Sequence, residues 1–182
     1  MTEFSQLPIE ALLDPKGFDC DCGKHHASSL RVFKSGSGVI ETLPDVLDTL
    51  GVKRPYVVCD ANTHKAAGAR VEAILKAKGI AYQLYIVPRE HVEPDEWAVG
   101  AITMAMNPAC DGVLAVGSGV INDLCKVVAY ACGKPQLVVA TAPSMDGYAS
   151  SSSSMHVCEV KTTVYNACPA AIIADTDIIR LA

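Results

Sequence analysis

Short apolar runs alternate along this chain with longer segments in which apolar positions recur at helical spacing. The apolar runs are typical of strands buried on both faces of a sheet, and the intervening segments are typical of amphipathic helices. Strands joined by helices need crossover connections, which favour a parallel sheet. We therefore predict an α/β fold, a Rossmann-like parallel sheet with helices on both faces. The predicted strands are 30–34, 55–59, 82–87, 111–116, 137–140 and 171–174, and the predicted helices are 39–50, 63–78, 93–106 and one from Gly119.

The pattern changes after Ala140. Residues 141–147 are turn-forming, 150–154 are serines, and 155–165 alternate in polarity as a β-hairpin does. We expect this hairpin to follow the last ligand-binding loop of the sheet. No internal repeat or linker marks a second domain, so we assign 1–28 to a polar N-terminal loop and 29–182 to one dinucleotide-binding domain.

A glycine-rich junction follows the predicted strand 111–116. Gly117, Ser118 and Gly119 stand between an apolar run and a helical pattern. Glycines here let the backbone approach a pyrophosphate closely, and the amide groups of the following helix attract its negative charge. The third glycine of the G-x-G-x-x-G fingerprint is replaced by Asn122, so the motif needs support from its surroundings.

Composition and charge argue against several classes of protein. The 182 residues are 50% hydrophobic and carry a formal net charge of −5, without a basic stripe. Such a chain can bury one sizeable core and does not resemble a nucleic-acid-binding protein. No apolar stretch reaches a membrane-spanning length, and the N-terminus lacks a signal-peptide pattern. We therefore expect a cytoplasmic protein whose scattered cysteines are free thiols.

Four residues before the first long strand are of metal-binding type. They are Cys20, Cys22, His25 and His26, and the C-x-C spacing is shorter than that of common zinc knuckles. No second pair completes four ligands. We favour a polar loop here over a structural metal site, and we assign no metal ligand in the chain.

Polar residues that follow predicted strands are the other candidates, because ligands of such sheets lie at the carboxyl ends of the strands. Asp60 could accept the hydroxyl groups of an adenosine ribose or could cap a helix, for which Asn62 is also a good cap. Asp123 could interact with a helix dipole or with a ligand amide. Lys126 could neutralise Asp123 or a phosphate, but we favour a solvated helical lysine. His64, His91 and His156 show no paired acid at a recognisable spacing.

The stretch 141–150 begins at a strand end and offers small hydroxyl side chains. Thr141, Ser144, Asp146 and Ser150 are its polar candidates. The alternative is a flexible serine-rich loop. We favour a binding loop, in which Asp146 would face the substrate.

Three segments together resemble the sn-glycerol-1-phosphate dehydrogenases, which belong to the superfamily of iron-containing alcohol dehydrogenases, glycerol dehydrogenases and dehydroquinate synthases. They are 117–123 (GSGVIND), 141–147 (TAPSMDG), and 58–63 (VCDANT) with the downstream 66–68 (AAG). The S-M-D-G element is the most specific. Members have an N-terminal dinucleotide-binding domain and a C-terminal helical domain that supplies a divalent metal such as zinc, nickel or iron.

The resemblance implies NAD or NADP as cofactor and a small polyol phosphate as substrate, with neither nucleic acid nor a membrane as partner and with a homo-oligomer possible. Asp146 would contact the substrate. The chain ends about where the helical domain should begin and contains none of its metal ligands, so this part alone is expected to bind cofactor and turn over little. The residues implied in cofactor binding are Asp60, Gly117, Ser118, Gly119, Val120, Ile121, Asp123, Thr141, Ala142, Ser144 and Ser150.

Two alternatives stay open at this point. One is a nucleotide-binding or assembly module without catalysis. The other is a sugar-phosphate cyclase of the dehydroquinate synthase type, which shares the cofactor domain but should carry a different element where S-M-D-G stands.

Overall fold

The apolar runs of the sequence form the strands of a parallel six-stranded sheet, as predicted. A computed structural model describes residues 6–145 and 147–182. Its strands are β1 (Phe18–Asp19), β2 (His25–His26), β3 (Val32–Gly36), β4 (Pro55–Cys59), β5 (Gln83–Ile86), β6 (Gly112–Gly117), β7 (Gln136–Ala140), β8 (Ser152–Val157), β9 (Val160–Tyr165) and β10 (Ala171–Asp175). Its α-helices are α1 (Ile9–Leu12), α2 (Leu43–Thr49), α3 (Ala61–Thr63), α4 (Ala69–Ala77), α5 (Glu96–Ala105), α6 (Gly119–Ala131) and α7 (Thr176–Ile179).

The strand order in the main sheet is β3-β10-β7-β6-β4-β5, with every neighbouring pair parallel. From β4 the chain continues outward to β5, whereas from β6 it continues in the opposite direction to β7 and then β10. The direction of winding therefore reverses between β4 and β6. In sheets of this kind such a switch point leaves a crevice at the carboxyl ends of the two strands, where ligands bind.

Apolar side chains cover both faces of the sheet, because successive residues of a strand point to opposite sides. In β4, Val57 and Cys59 pack with α2 and α4 in one core cluster. Tyr56 and Val58 pack with α5 and α6 in the other. All four side chains are fully buried, which explains why the sequence of β4 shows a continuous apolar run rather than an alternating one.

The segment before the sheet contains more structure than the predicted polar loop. Helix α1 makes one turn, and β1 pairs with β2 as an antiparallel hairpin. Leu13 packs against the core cluster that contains α6. The division of the chain at residue 28 stays a prediction.

The hairpin predicted at 155–165 is present but begins earlier. Strand β8 starts at Ser152, so three of the five serines at 150–154 belong to a strand. Ser153 is buried: its hydroxyl donates to the carbonyl of Asp123 and accepts from the amide of Asn166. A tight turn at Cys158 and Glu159, both with positive φ, joins β8 to β9.

In the described part of the chain, every helix is too short or too polar to span a lipid bilayer.

Candidate cofactor site

Three of the segments singled out in the sequence lie side by side at one edge of the sheet. Asp60 follows β4, Gly117 ends β6, and Thr141 follows β7. These three strands are neighbours in the order β7-β6-β4, and they are parallel. Asp60 and Gly117 flank the switch point between β4 and β6. The fold therefore brings together residues that are as many as 81 positions apart in the sequence, from Asp60 to Thr141.

The turn from β6 to α6 presents helix amide groups at this edge. Ser118 precedes the helix with φ −111° and ψ −147°, and its side chain makes no capping hydrogen bond. The first-turn N–H groups of a helix have no partner within the helix. Helix α6 is 13 residues long, so its dipole adds positive potential at this end. The turn is thus suited to an anionic group such as a pyrophosphate.

Glycine suits the two positions of this turn for different physical reasons. A β-carbon on Gly117 would lie 2.6 Å from Cβ of Ile121, so Gly117 is needed for close packing of α6 on β6. A β-carbon on Gly119 would meet only the Sδ of Met145, at an ordinary 3.5 Å. Neither glycine has positive φ. Gly119 is therefore the position at which a larger side chain would extend into the space available to a ligand.

Asn122, at the place of the missing third glycine, is fully buried. The side-chain amide of Gln136 donates to both the carbonyl and the Oδ1 of Asn122, at 3.1 Å each. Because Gln136 begins β7, this contact ties α6 to the neighbouring strand. Asn122 is a packing residue in this variant of the motif.

Asp60 caps the helix after β4. Its Oδ1 accepts from the amide groups of Asn62 and Thr63, at 2.8 and 2.7 Å, and the hydroxyl of Thr63 accepts from the Asp60 amide. Asp60 and not Asn62 is the N-cap, so the expectation for Asn62 is wrong. Oδ2 of Asp60 makes no hydrogen bond to any described residue. The capping role and a role in binding a ribose hydroxyl are therefore compatible.

Lys126 is not the solvated lysine expected from the sequence, since only 1% of it is exposed. Its ammonium group donates to the carbonyls of Gly147 and Ser152 and to the hydroxyl of Ser150, each at 2.9 Å. The carboxylate of Asp123 lies 3.4 Å away. Burial lowers the pKa of Lys126, and the nearby carboxylate of Asp123 partly offsets this decrease. The lysine acts as an internal cross-link that shapes the loop after β7.

Asp123 is also occupied by protein partners. Its Oδ2 accepts from the amide of Ser154 at 3.0 Å, and its Oδ1 faces Lys126. Ser150 likewise directs its hydroxyl toward the carbonyls of Gly147 and Ser152. Asp123 and Ser150, both predicted to contact the cofactor, thus make hydrogen bonds within the protein that help to hold the hairpin β8–β9 to α6.

The loop after β7 folds back over the end of β6. Thr141 is buried, and its amide donates to the carbonyl of Gly117 at 3.2 Å. The hydroxyl of Tyr148 donates to the carbonyl of Ala142 at 3.0 Å and lies 3.4 Å from that of Gly117. Burial raises the pKa of Tyr148. This tyrosine was missed in the sequence, where only its position just after Gly147 could have signalled it.

The remaining predicted contacts of this loop differ in exposure. Ser144 is exposed, and Ala142 and Met145 are partly exposed. Asp146, the predicted substrate contact, lies outside the described residues. Val120 is partly exposed in the first turn of α6, whereas Ile121 is buried and packs on the sheet.

Two histidines have acidic partners that the sequence did not predict. Nε2 of His64 lies 2.9 Å from Oε1 of Glu72, and Nδ1 of His156 lies 3.8 Å from Glu93. The bond from His64, followed by that from Tyr82, lowers the pKa of Glu72 to about 2. The His64–Glu72 pair lies eight residues apart on the helical segment that follows β4, where a π-helical turn at His64–Gly68 adds one residue to the usual spacing.

Only one group of three potential metal ligands occurs among residues 6–145 and 147–182. It consists of Cys20, Cys22 and His26 in the N-terminal hairpin, and includes no residue of the loops after β4, β6 and β7. The neighbouring His25 instead contacts Asp19 at 2.9 Å. A hydrogen bond to His26 lowers the pKa of Cys22 to about 7.

Comparisons with known proteins identify the family of this chain. The family model of iron-containing alcohol dehydrogenases matches residues 34–182. A glycerol-1-phosphate dehydrogenase [NAD(P)+] of Halalkalibacterium halodurans is 33% identical over 168 residues, which are 90% of this chain and 42% of the relative. A protein of the same name from Bacillus subtilis is 31% identical over 150 residues, or 81% of this chain and 38% of the relative. The chain thus spans about two fifths of the length of these relatives.

Solved structures support the fold. Glycerol dehydrogenase from Schizosaccharomyces pombe superposes with a TM-score of 0.75 at 18% identity, over 84% of this chain and 39% of that one. Sulfoacetaldehyde reductase from Bifidobacterium kashiwanohense, solved with NAD+, gives a TM-score of 0.71 at 15% identity, over 84% and 46%. The resemblance drawn from the sequence motifs is confirmed: the chain belongs to the family of iron-containing alcohol dehydrogenases.

Proposed function

We propose that this chain binds NAD(H) or NADP(H) as the cofactor-binding part of a polyol-phosphate dehydrogenase of the sn-glycerol-1-phosphate type. Such an enzyme interconverts dihydroxyacetone phosphate and sn-glycerol 1-phosphate. The observation that carries the proposal is the Gly117–Ser118–Gly119 turn at the switch point of the sheet, with the amide groups of α6 directed to the same edge. The names of the matched relatives support the substrate class.

In this proposal the pyrophosphate lies against the first turn of α6. The amide groups of Gly119 and Val120 donate to its oxygens, and the absence of a side chain at Gly119 allows close approach. Oδ2 of Asp60 accepts from a ribose hydroxyl across the crevice, while Oδ1 keeps the cap on the following helix. The negative charge of Asp60 disfavours a 2′-phosphate and therefore favours NAD.

The loop after β7 would bound the nicotinamide end of the cofactor. Thr141, Ala142 and Ser144 follow the strand next to β6, so a dinucleotide that crosses the switch point reaches them. Lys126, through its bonds to Gly147 and Ser150, keeps this loop closed. When bound, the nicotinamide donates or accepts a hydride at C4, and this loop would orient that ring. Asp146 remains our proposed substrate contact.

The family description also implies a metal ion. Within residues 6–145 and 147–182, the carboxyl edge of the sheet brings together no group of three His, Cys, Asp or Glu ligand atoms. These residues do not fit a metal centre at this edge, and the proposed mechanism has no step through one. The role proposed for this chain is binding and orienting the cofactor, and we expect little turnover of dihydroxyacetone phosphate by it alone.

Calorimetric titration of the chain with NADH tests the proposal. Gly119→Val adds a side chain at the site of the pyrophosphate and should weaken binding by at least about tenfold, or about 1.4 kcal/mol. Gly100→Val is the matched control, because a β-carbon on Gly100 in α5 meets nothing within 4 Å. Equal NADH affinity in the wild type and Gly119→Val, with both proteins folded, would contradict the proposal.

A further inference from the structure

The N-terminal hairpin brings two cysteines and one histidine to the same point. The ligand atoms of Cys20, Cys22 and His26 all lie within 4.8 Å of one another. Sγ of Cys22 and Nε2 of His26 are 3.2 Å apart. Cys22 and His26 are exposed and Cys20 is partly exposed, so an ion could reach all three from solvent.

The pairing register of the hairpin explains why His26 and not His25 joins this cluster. His26 is opposite Phe18, and His25 is opposite Asp19. Because side chains alternate between faces, Phe18, Cys20 and His26 share one face, whereas Asp19 and His25 share the other. Stacking of the His26 ring on Phe18, with centroids 5.5 Å apart, orients the imidazole.

The turn between the two strands directs Cys22 back toward Cys20. The amide of Cys20 donates to the carbonyl of Lys24 at 3.0 Å, and the amide of Gly23 donates to the carbonyl of Cys20 at 2.9 Å. Gly23 has a φ of +80°, a conformation that glycine adopts without strain. The amide of Cys22 points to Sγ of Cys20 at 3.5 Å. An N–H group aimed at sulfur stabilises the thiolate that a metal needs.

We propose that Cys20, Cys22 and His26 bind one zinc-type divalent cation. Tetrahedral coordination at Zn–S of about 2.3 Å and Zn–N of about 2.0 Å places ligand atoms about 3.5–3.8 Å apart. The observed separations, from 3.2 Å to at most 4.8 Å, need only side-chain adjustments to reach this range. Two thiolates and an imidazole select zinc over magnesium or calcium, which prefer oxygen ligands.

Three protein ligands leave the fourth position to a water molecule or another added donor. Two thiolates also neutralise the charge of the ion, so the site carries no net charge. The ion would join the end of β1, the turn and the end of β2, and would fix a hairpin whose strands are only two residues long. The inference is independent of cofactor binding, since it concerns none of the residues proposed there.

Titration of the full chain with Co²⁺ after removal of metals by chelation tests this site. Co²⁺ replaces zinc and absorbs strongly when thiolates coordinate it. We expect one Co²⁺ per chain with thiolate-to-cobalt absorption, displaced by an equal amount of Zn²⁺. Cys22→Ser and His26→Asn should each weaken Co²⁺ binding by at least about tenfold.

His25→Asn is the matched control for His26→Asn, because His25 neighbours it in sequence but faces Asp19. Cys158→Ser is the control for Cys22→Ser, because Cys158 is an exposed free thiol elsewhere. Both controls should keep wild-type Co²⁺ affinity. Absence of stoichiometric Co²⁺ binding by the reduced wild type, a Cys20–Cys22 disulfide that persists in mild reductant, or equal losses in His25→Asn and His26→Asn would each overturn the proposal. Near-ultraviolet and far-ultraviolet circular dichroism confirms that each variant is folded.

Discussion

The ammonium group of Lys126 lies 2.9 Å from the hydroxyl of Ser150, inside the protein and beside the carbonyls of Gly147 and Ser152. A single buried cation thus holds the loop after β7 and the start of β8 against helix α6. Removing it leaves several buried acceptors without a donor and Asp123 without its cation.

We predict that Lys126→Met lowers the free energy of unfolding by about 3 kcal/mol and also weakens NADH binding, because the loop loses its cross-link. Urea unfolding followed by circular dichroism measures the first effect, and calorimetry measures the second. Lys65→Met, at an exposed position of the π-helical turn, is the control and should change stability by less than about 0.5 kcal/mol. A Lys126→Met protein as stable as this control would show that the buried cation does not hold the loop.

Gly117 and Gly119 should respond differently to alanine. Gly117→Ala places a methyl group 2.6 Å from Cβ of Ile121 and should destabilise the fold by about 1–3 kcal/mol. Gly119→Ala has ordinary contacts only, so it should retain most of the stability and lose cofactor affinity instead. Thermal unfolding and NADH titration of the two variants give the comparison. Equal loss of stability in both would refute the division of roles between packing and ligand approach.

Asp60 allows the charge and the cap to be tested separately. Asp60→Asn keeps an oxygen that can accept from Asn62 and Thr63, so stability should be nearly unchanged. The loss of negative charge should reduce the preference for NAD over NADP. Asp60→Ala removes the cap as well and should cost about 1 kcal/mol of stability. If Asp60→Asn leaves the ratio of the two cofactor affinities as it was, Asp60 serves only as a cap.

Glu72 should make the free energy of unfolding depend on pH. Its pKa falls from 4.5 to about 2 in the folded protein, mainly through the bond with His64. Because the folded pKa is lower than the unfolded one, the stabilisation is complete above about pH 5 and is lost as the pH falls toward about 2. We expect the free energy of unfolding of the wild type to exceed that of Glu72→Gln by on the order of 2 kcal/mol at pH 7. This difference should vanish near pH 2.

Urea unfolding of both proteins at several pH values measures this difference. Glu90→Gln, at an exposed carboxyl, serves as the control and should follow the wild type throughout. A difference between wild type and Glu72→Gln that stays constant from pH 7 to pH 2.5 would contradict the assigned cause.

The sequence predicted most of the sheet because its strands are continuous apolar runs. Strand β4 has its predicted bounds, and α6 begins at Gly119 as expected. Strand β3 lies two residues later than predicted, since its exposed position at the sheet edge gives a weaker pattern. The order β3-β10-β7-β6-β4-β5 depends on contacts far apart along the chain, which local periodicity does not encode.

The sequence predicted which loops form the candidate site but not the contacts within it. Strand ends and glycines are visible in a sequence, so the three loops of the crevice were identified from it. The burial of Lys126 was not, because its partners Gly147, Ser150 and Ser152 come 21 to 26 residues later along the chain. The packing role of Gly117 could not be predicted either, because it depends on how closely Ile121 approaches β6.

Two-dimensional amide NMR of the ¹⁵N-labelled chain titrated with NAD+ shows residue by residue whether a nicotinamide dinucleotide occupies the crevice between β4 and β6. We predict that the largest shifts occur at the amides of Ser118, Gly119 and Val120, with further shifts at Asp60 and Thr141. Amides of the hairpin β8–β9 beyond Met155 should stay unchanged. Shifts that concentrate elsewhere on the sheet, or no shifts at millimolar NAD+, would contradict the account.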